Sequence, residues 1–164
     1  MRPNELGQMT WDGLPFDGAK LAALLGDALL VYRRDDKPDI PFPGLLDLPG
    51  GGREGDESPA ECALRELAEE FGITVSVDRV HHHRTYLLGD GVTRSHFLAV
   101  HLTEEEVAAV RFGDEGQDWA LLPIADYLSD TDAIPRLRDW LAAYVAAAET
   151  IRYLDTTLQS DGKT

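Results

Sequence analysis

The stretch from Leu45 to Ile73 constrains the fold more than any other part of this chain, because a strand, a glycine run and a punctuated helix follow one another in it without a gap. Leu45 to Leu48 reads as a short strand that runs straight into Pro49-Gly50-Gly51-Gly52. In the helix beyond, Ser58 is placed to cap the first turn, Pro59 suits the first helical position and Glu61 completes a capping box. Gly72 stands where such a helix ends. Between the caps, Ala60, Leu64, Leu67, Ala68 and Phe71 recur at helical spacing and mark the face to be buried. A strand that leads through a tight loop into an amphipathic helix belongs in a mixed α/β domain.

The rest of the chain supplies the surrounding layers. Residues 1–15 lack periodicity and carry Pro3, Gly7, Gly13 and Pro15, which predicts an N-terminal arm. Lys20 to Leu25 and Ala28 to Arg33 are apolar-rich runs separated by Gly26-Asp27, a hairpin signal. Arg34 to Gly44, with Pro38, Pro41 and Pro43, reads as a loop. Thr74 to Val80 alternates as a strand does, and two more strands are expected at His83–Leu88 and His96–Leu102, around Gly89-Asp90-Gly91. Thr103 to Val110 reads as a short acidic helix, and Arg111 to Asp118 as a loop leading into a strand, Trp119–Leu122. From Ile134, the residues Leu137, Leu141, Tyr144, Val145, Ala148 and Ile151 line one side of a long helix that contains Trp140. That helix either packs on its own sheet or pairs two copies as a homodimer. Residues 159–164 are polar and predict a mobile tail. With no internal repeat and no dividing linker, residues 1–164 form one domain.

Composition narrows the partners. No apolar run approaches the roughly 20 residues of a membrane span, and the N-terminus lacks the basic-then-apolar pattern of a secretory signal. A single cysteine, Cys62, excludes an intrachain disulfide, so a cytoplasmic setting is expected. The formal net charge is −15, from 30 acidic and 15 basic residues. Such a field repels nucleic-acid backbones and anionic membranes, so neither is an expected partner. It also repels nucleotides, and a phosphate ligand would need local basic groups or bound cations.

Glu66, Glu69 and Glu70 stand at i, i+3 and i+4, so their carboxylates share a helix face, opposite the apolar stripe. Like charges so placed oppose the helix by roughly a few tenths of a kcal/mol per pair, and a divalent cation would relieve them. Magnesium prefers carboxylate oxygens and keeps room for water and phosphate. The preceding glycines allow a main-chain carbonyl to approach as a further oxygen ligand. Arg65, flanked by Glu57, is suited to fix neighbouring carboxylates with its planar fork. A solvated acidic face accounts for the same spacing, so charge pattern alone leaves both readings open.

The complete pattern is more specific. It reads Gly51, five residues, Glu57, seven residues, Arg65-Glu66, aliphatic Leu67, any residue, Glu69-Glu70, any residue, Gly72 and aliphatic Ile73. With average residue usage, its chance occurrence in a chain of this length has odds of roughly one in 10⁷. Position for position it resembles the box of the Nudix (MutT-like) hydrolases. That resemblance implies an α/β/α sandwich with a central mixed β-sheet and a hydrolase of nucleoside diphosphates linked to another moiety, dependent on magnesium or manganese. It implies that Glu66, Glu69 and Glu70 hold metal or activate water, with Glu66 also a candidate base. The Gly51 carbonyl is implied as a ligand, while Arg65, Glu57 and Gly72 support the loop and helix. In parts of the family an acid from a distant loop completes the metal site. Here Asp114-Glu115-Gly116-Gln117-Asp118-Trp119 resembles that arrangement, with Glu115 the first candidate and Asp114 and Asp118 behind it.

Outside the box the candidates for substrate contact are Arg33, Arg34, Phe42 and His83, with Lys37 and Leu46 close by in sequence. Consecutive strand residues point to opposite faces, so of His81, His82 and His83 only the first and last could converge. The proline that many ADP-ribose hydrolases carry a short way after the box is missing, with Tyr86, Leu87 and Leu88 in that region. The Pro-rich signature of NADH-type members is absent too. Elimination makes a nucleoside triphosphate, cleaved to monophosphate and pyrophosphate, the first expected substrate, and ADP-ribose or a nucleotide sugar the second. Nudix-like domains that bind nucleotides as sensors without turnover typically lose box carboxylates; this chain keeps them all.

Overall fold

The computed structural model describes residues 11–161. Strand β1 (Gly18–Leu25) turns at Gly26-Asp27 into β2 (Ala28–Arg33), with Leu25 opposite Ala28 as the hairpin signal requires. The sheet order is β3 (Leu46–Asp47), β2, β1, β6 (Arg94–His101), β5 (Val80–Leu87). Strand β4 (Gly50–Gly52) adds to β1 and β7 (Asp118–Pro123) adds to β2, making seven strands. β1 runs parallel to β6 and the other pairings are antiparallel, so the sheet is mixed.

Strand alternation divides the core in two. Ala19, Leu21, Ala23, Leu98 and Val100 face helix α1 (Pro59–Phe71) and meet Leu64, Leu67 and Phe71. Ala22, Leu24, Leu29, Val31, Phe97 and Ala99 face the other side. There they meet Tyr127 of α3 (Ile124–Ser129) and Leu137, Trp140 and Leu141 of α4 (Pro135–Asp161). Helices therefore cover both faces of the sheet in an α/β/α sandwich. The short acidic helix is α2 (Glu104–Ala108), capped by Thr103. Helix α1 forms as its punctuation predicts. Ser58 and Glu61 bond reciprocally at 3.2 and 3.1 Å, and Gly72 takes a left-handed φ of 70° with its N–H on the Ala68 carbonyl.

Three sequence expectations need correction. Thr74–Val80 forms no strand: Ile73 and Val75 alternate inward as anchors of the α1-side core, but a single 3-10 turn at Val77–Arg79 intervenes before β5. The glycines after Pro49 are themselves a strand, because Gly18 and Gly50 let β1 and β4 approach closer than side chains permit. A Cβ on Gly18 would lie 2.4 Å from the Gly51 oxygen, and one on Gly50 would lie 2.2 Å from the Ala19 oxygen. Residues 159–161 continue α4, and residues 1–10 of the arm and 162–164 lie outside the described residues. The glutamate face of α1 is not opposite its buried stripe: Pro59, Cys62, Ala63 and Glu70 are buried as well, since β4 covers that edge of the helix. α4 is core-packed through Tyr144, whereas Ile151, Tyr153, Leu154 and Leu158 are exposed. Among the described residues no helix is long and apolar enough to cross a membrane.

Candidate active site

Helix α1 carries its carboxylates along the edge that abuts β4. Glu70 is only 7% exposed, and its Oε1 accepts the Gly50 N–H at 2.8 Å. Burial pushes its carboxyl up to about 8, although the Gly50 amide and Lys20 pull the other way. One turn earlier, Glu66 lies against the Gly51 Cα so closely that a Cβ there would stand 2.7 Å from its carboxyl group. Burial raises Glu66 too, against Arg65. The Gly51 carbonyl is turned toward the helix, where the Cys62 thiol donates to it at 3.5 Å. That thiol is pushed up to about 12, chiefly by burial, which makes it an inert packing group.

Arg65 organises this edge. Its Nη2 donates to Glu57 Oε1 at 2.8 Å and to the Gly52 carbonyl at 2.9 Å, and its Nε donates to Glu57 Oε2 at 3.0 Å. Nη1 reaches Glu66 at 2.9 Å and Glu69 at 3.2 Å. Glu57 in turn accepts the Glu54 N–H at 2.7 Å, so one guanidinium ties loop, helix and three box carboxylates together. The hydrogen bonds from Arg65 hold the Glu57 carboxyl below its ordinary range.

The loop bearing Glu115 is tied to the end of α1. Arg111 N–H donates to the Phe71 carbonyl at 2.9 Å and Gly113 N–H to the Glu70 carbonyl at 2.8 Å, satisfying carbonyls that a helix end leaves free. Gln117 N–H anchors the other end on the Arg33 carbonyl at 2.8 Å. Glu54, Glu66, Glu69, Glu70, Asp114 and Glu115 consequently line one acidic cleft of about 410 Å³. Glu115 also borders a second cleft of about 260 Å³, formed with Tyr32, Arg34, Asp35, Lys37, Ile40 and Gly116.

Among the described residues, no three His, Cys, Asp or Glu side chains already converge on one point. Arg65 holds Glu66 and Glu69, and Glu70 is bound to a backbone amide. The donor chemistry is nevertheless that of a hard divalent cation. It consists of carboxylate oxygens and a backbone carbonyl, with a buried carboxyl whose charge has no direct cationic partner. Magnesium needs only one or two such groups and keeps its waters.

The NUDIX domain model matches residues 17–144, well over half of the chain. This chain belongs to the Nudix family. Over 57 residues it is 46% identical to an RNA pyrophosphohydrolase of Acidiphilium cryptum, a match covering 35% of this chain and 34% of that protein. Over 47 residues it is 45% identical to an RNA pyrophosphohydrolase of Gluconacetobacter diazotrophicus, covering 27% and 28%. The chain thus spans about a third of the length of the curated relatives it matches. Among solved structures it is similar to a MutT protein from Methanosarcina mazei, with TM-score 0.62 and 19% identity over 85% of this chain and 99% of that one. It also resembles an Ap4A hydrolase of C. elegans, with TM-score 0.59 and 19% identity over 81% and 98%. At these identities the two structures establish the fold.

On the Nudix scaffold the remaining sequence candidates separate. Arg34 borders the second cleft, fixed by Nη1 on Asp47 at 2.8 Å and Nε on the Pro41 carbonyl at 2.9 Å. Arg33 instead donates to the Gly44 carbonyl at 2.8 Å and Asp132 at 3.2 Å, away from the acidic cleft. Phe42, at a φ of 51°, packs toward α4 under the Arg136 guanidinium, 5.3 Å from its ring centre. Leu46 is buried in the α4-side core. A bulge between Val80 and His82 breaks the alternation of β5, so His81 and His82 both meet Tyr144 of α4. His83 meets His96 at 2.7 Å on the opposite face. Asp118 pairs with Arg33 across β2 and β7 and does not line the acidic cleft.

Sequence reading passed over Asp47. It is fully buried and carries three side-chain partners: Lys20 at 2.9 Å, Arg34 at 2.8 Å and the Tyr32 hydroxyl at 3.0 Å. The signal was a lone acid inside Leu45–Leu48, a position that burial forbids without partners.

Proposed function

We propose that this chain is a divalent-cation-dependent Nudix hydrolase that cleaves a diphosphate linkage in a nucleoside polyphosphate. A nucleoside triphosphate yielding monophosphate and pyrophosphate is its first substrate. The observation that supports this most strongly is the meeting of Glu66, Glu69, Glu70 and Glu115 in one cleft that adjoins a second bearing Arg34 and Lys37. In this reading Glu66 and Glu70 are the primary metal ligands. Glu69 and the Gly51 carbonyl are further ligands or orient water, and Glu115 closes the site from the opposite side. Bound magnesium, or manganese in its place, would neutralise the phosphates and stabilise the leaving oxygen. Arg65 holds Glu66 and Glu69 in the geometry that leaves an oxygen of Glu66 available to take a proton from water. Arg34 and Lys37 offer the cationic contacts that offset the acidic surroundings.

A second reading, hydrolysis at the 5′-triphosphate end of an RNA, draws on the local identity to RNA pyrophosphohydrolases. The test is product analysis after incubation with magnesium. The panel comprises the nucleoside triphosphates, ADP-ribose, a nucleotide sugar and a 5′-triphosphorylated oligoribonucleotide. Monophosphate plus pyrophosphate from a free nucleotide supports the first reading, and pyrophosphate from the oligonucleotide alone supports the second. No product from any of them would leave a nucleotide sensor.

A further inference from the structure

The buried carboxylate of Asp47 has partners on two sides, one set at the second cleft and one at the turn into β4. On one side it holds Tyr32 and Arg34, which line the cleft bearing Lys37. On the other it holds the Lys20 ammonium, whose Nζ also donates to the Leu48 and Gly50 carbonyls, both at 3.3 Å. Those carbonyls bracket Pro49 and the start of β4, and Asp47 Oδ1 itself accepts the Leu48 N–H at 2.7 Å. Gly50 then presents its own N–H to Glu70 at 2.8 Å. Its φ of 134° and the 2.8 Å that would separate a Cβ from the Lys20 Cα leave this turn little room to shift on its own. A continuous set of short polar contacts therefore runs from Asp47 through Lys20 and Gly50 to the buried carboxylate of α1.

We propose that Lys20 and Asp47 are positioning residues of the metal site: together they fix the Pro49–Gly50 turn and thereby aim the Gly50 amide at Glu70. The inference rests on the reading of Glu70 as a metal ligand. Neither residue lines the acidic cleft, so both act through β4. Residues that orient metal ligands from behind typically change metal affinity or activity by roughly 10- to 100-fold when replaced.

The charge of Lys20 makes the test discriminating. Simple electrostatics has the ammonium repel a cation, so Lys20→Met should tighten metal binding; loss of positioning should weaken it. Asp47 keeps Arg34 and Tyr32 in that variant, which preserves the buried carboxylate's neutralisation and the fold. Magnesium is titrated calorimetrically into the substrate-free protein. A thermal melt of each variant checks folding. Positioning gives roughly tenfold weaker binding in Lys20→Met, a matching fall in kcat at saturating nucleotide and little change in KM. Wild-type or tighter binding in a folded Lys20→Met overturns it. Lys20→Gln, which removes the same charge and leaves a polar group to face Asp47, carries the test with the same two outcomes should Lys20→Met fail to fold. Glu70→Gln serves as the reference: if it binds magnesium as wild type does, the metal-site reading itself fails, whereas its loss alongside an unaffected Lys20→Met removes only the positioning role.

Discussion

Glu70 carries two opposed demands. Folding places its carboxyl under β4 with one amide partner, and burial pushes it up to about 8 from an ordinary 4.5. The sign for stability follows from which state holds the proton. Below pH 4.5 both folded and unfolded chains are protonated and there is no penalty. Between 4.5 and 8 the unfolded chain ionises first, so stability declines as pH rises, and above 8 the full penalty remains. Glu70→Gln keeps an oxygen for the Gly50 amide and removes the charge. The metal-free variant should therefore melt higher than wild type at pH 8 and equally at pH 4, by scanning calorimetry. The same change should lower magnesium-dependent hydrolysis at least 100-fold, on the order of the loss of a principal charge-stabilising group. A melt difference that fails to grow with pH would mean the carboxyl is not held in the buried position described.

At the scale of elements, local punctuation and non-local contact behaved differently. Helix α1 was legible because Ser58, Pro59, Glu61 and Gly72 act within a turn of one another, and the acidic cluster because helical spacing brings its members to one edge. The burial of Glu70 was not legible, since it depends on β4, which exists only because Gly18 and Gly50 on distant segments permit backbone contact. Asp47 is likewise explained by Lys20 and Arg34, each far away in sequence. Thr74–Val80 had a strand's alternation but no neighbouring strand to complete its ladder. The β5 histidines show the same dependence on context: a bulge decides which face each one meets. Burial lowers His81, His82 and His96 to about 4 and lowers His83 as well, so these rings are neutral in the folded chain at pH 7. Their folded values are depressed, so the stability they permit is complete above the unfolded value of 6.5 and is lost as pH falls toward 4. His82 packs edge-on to Tyr144 and Phe97 and its buried Nε2 has no partner among the described residues, so phenylalanine keeps the ring contacts and removes the titration. His82→Phe should melt higher than wild type at pH 5, with the advantage shrinking above pH 7.5; an advantage independent of pH would assign the gain to packing alone.

The whole molecule imposes a field that no single residue reveals. With a net charge of −15, the chain repels the anion it is proposed to hydrolyse, and the local cations at the second cleft are few. Salt screens such repulsion over a Debye length of about 8 Å at physiological ionic strength. At saturating magnesium, raising potassium chloride from about 20 to about 200 mM should therefore increase kcat/KM for a nucleoside triphosphate by roughly two- to threefold. A basic nucleotide-binding surface responds in the opposite sense, because salt weakens its attraction. Substrate length sharpens the contrast. A 5′-triphosphorylated oligonucleotide presents many more phosphates to the same field, so its kcat/KM should start lower and climb more steeply with salt. Initial rates on both substrates across one salt series separate the cases. If kcat/KM falls with salt for the triphosphate, Arg34 and Lys37 govern approach and the global charge does not. If it falls only for the oligonucleotide, the protein carries a local track for a phosphate chain, and the RNA-end reading gains over the free nucleotide.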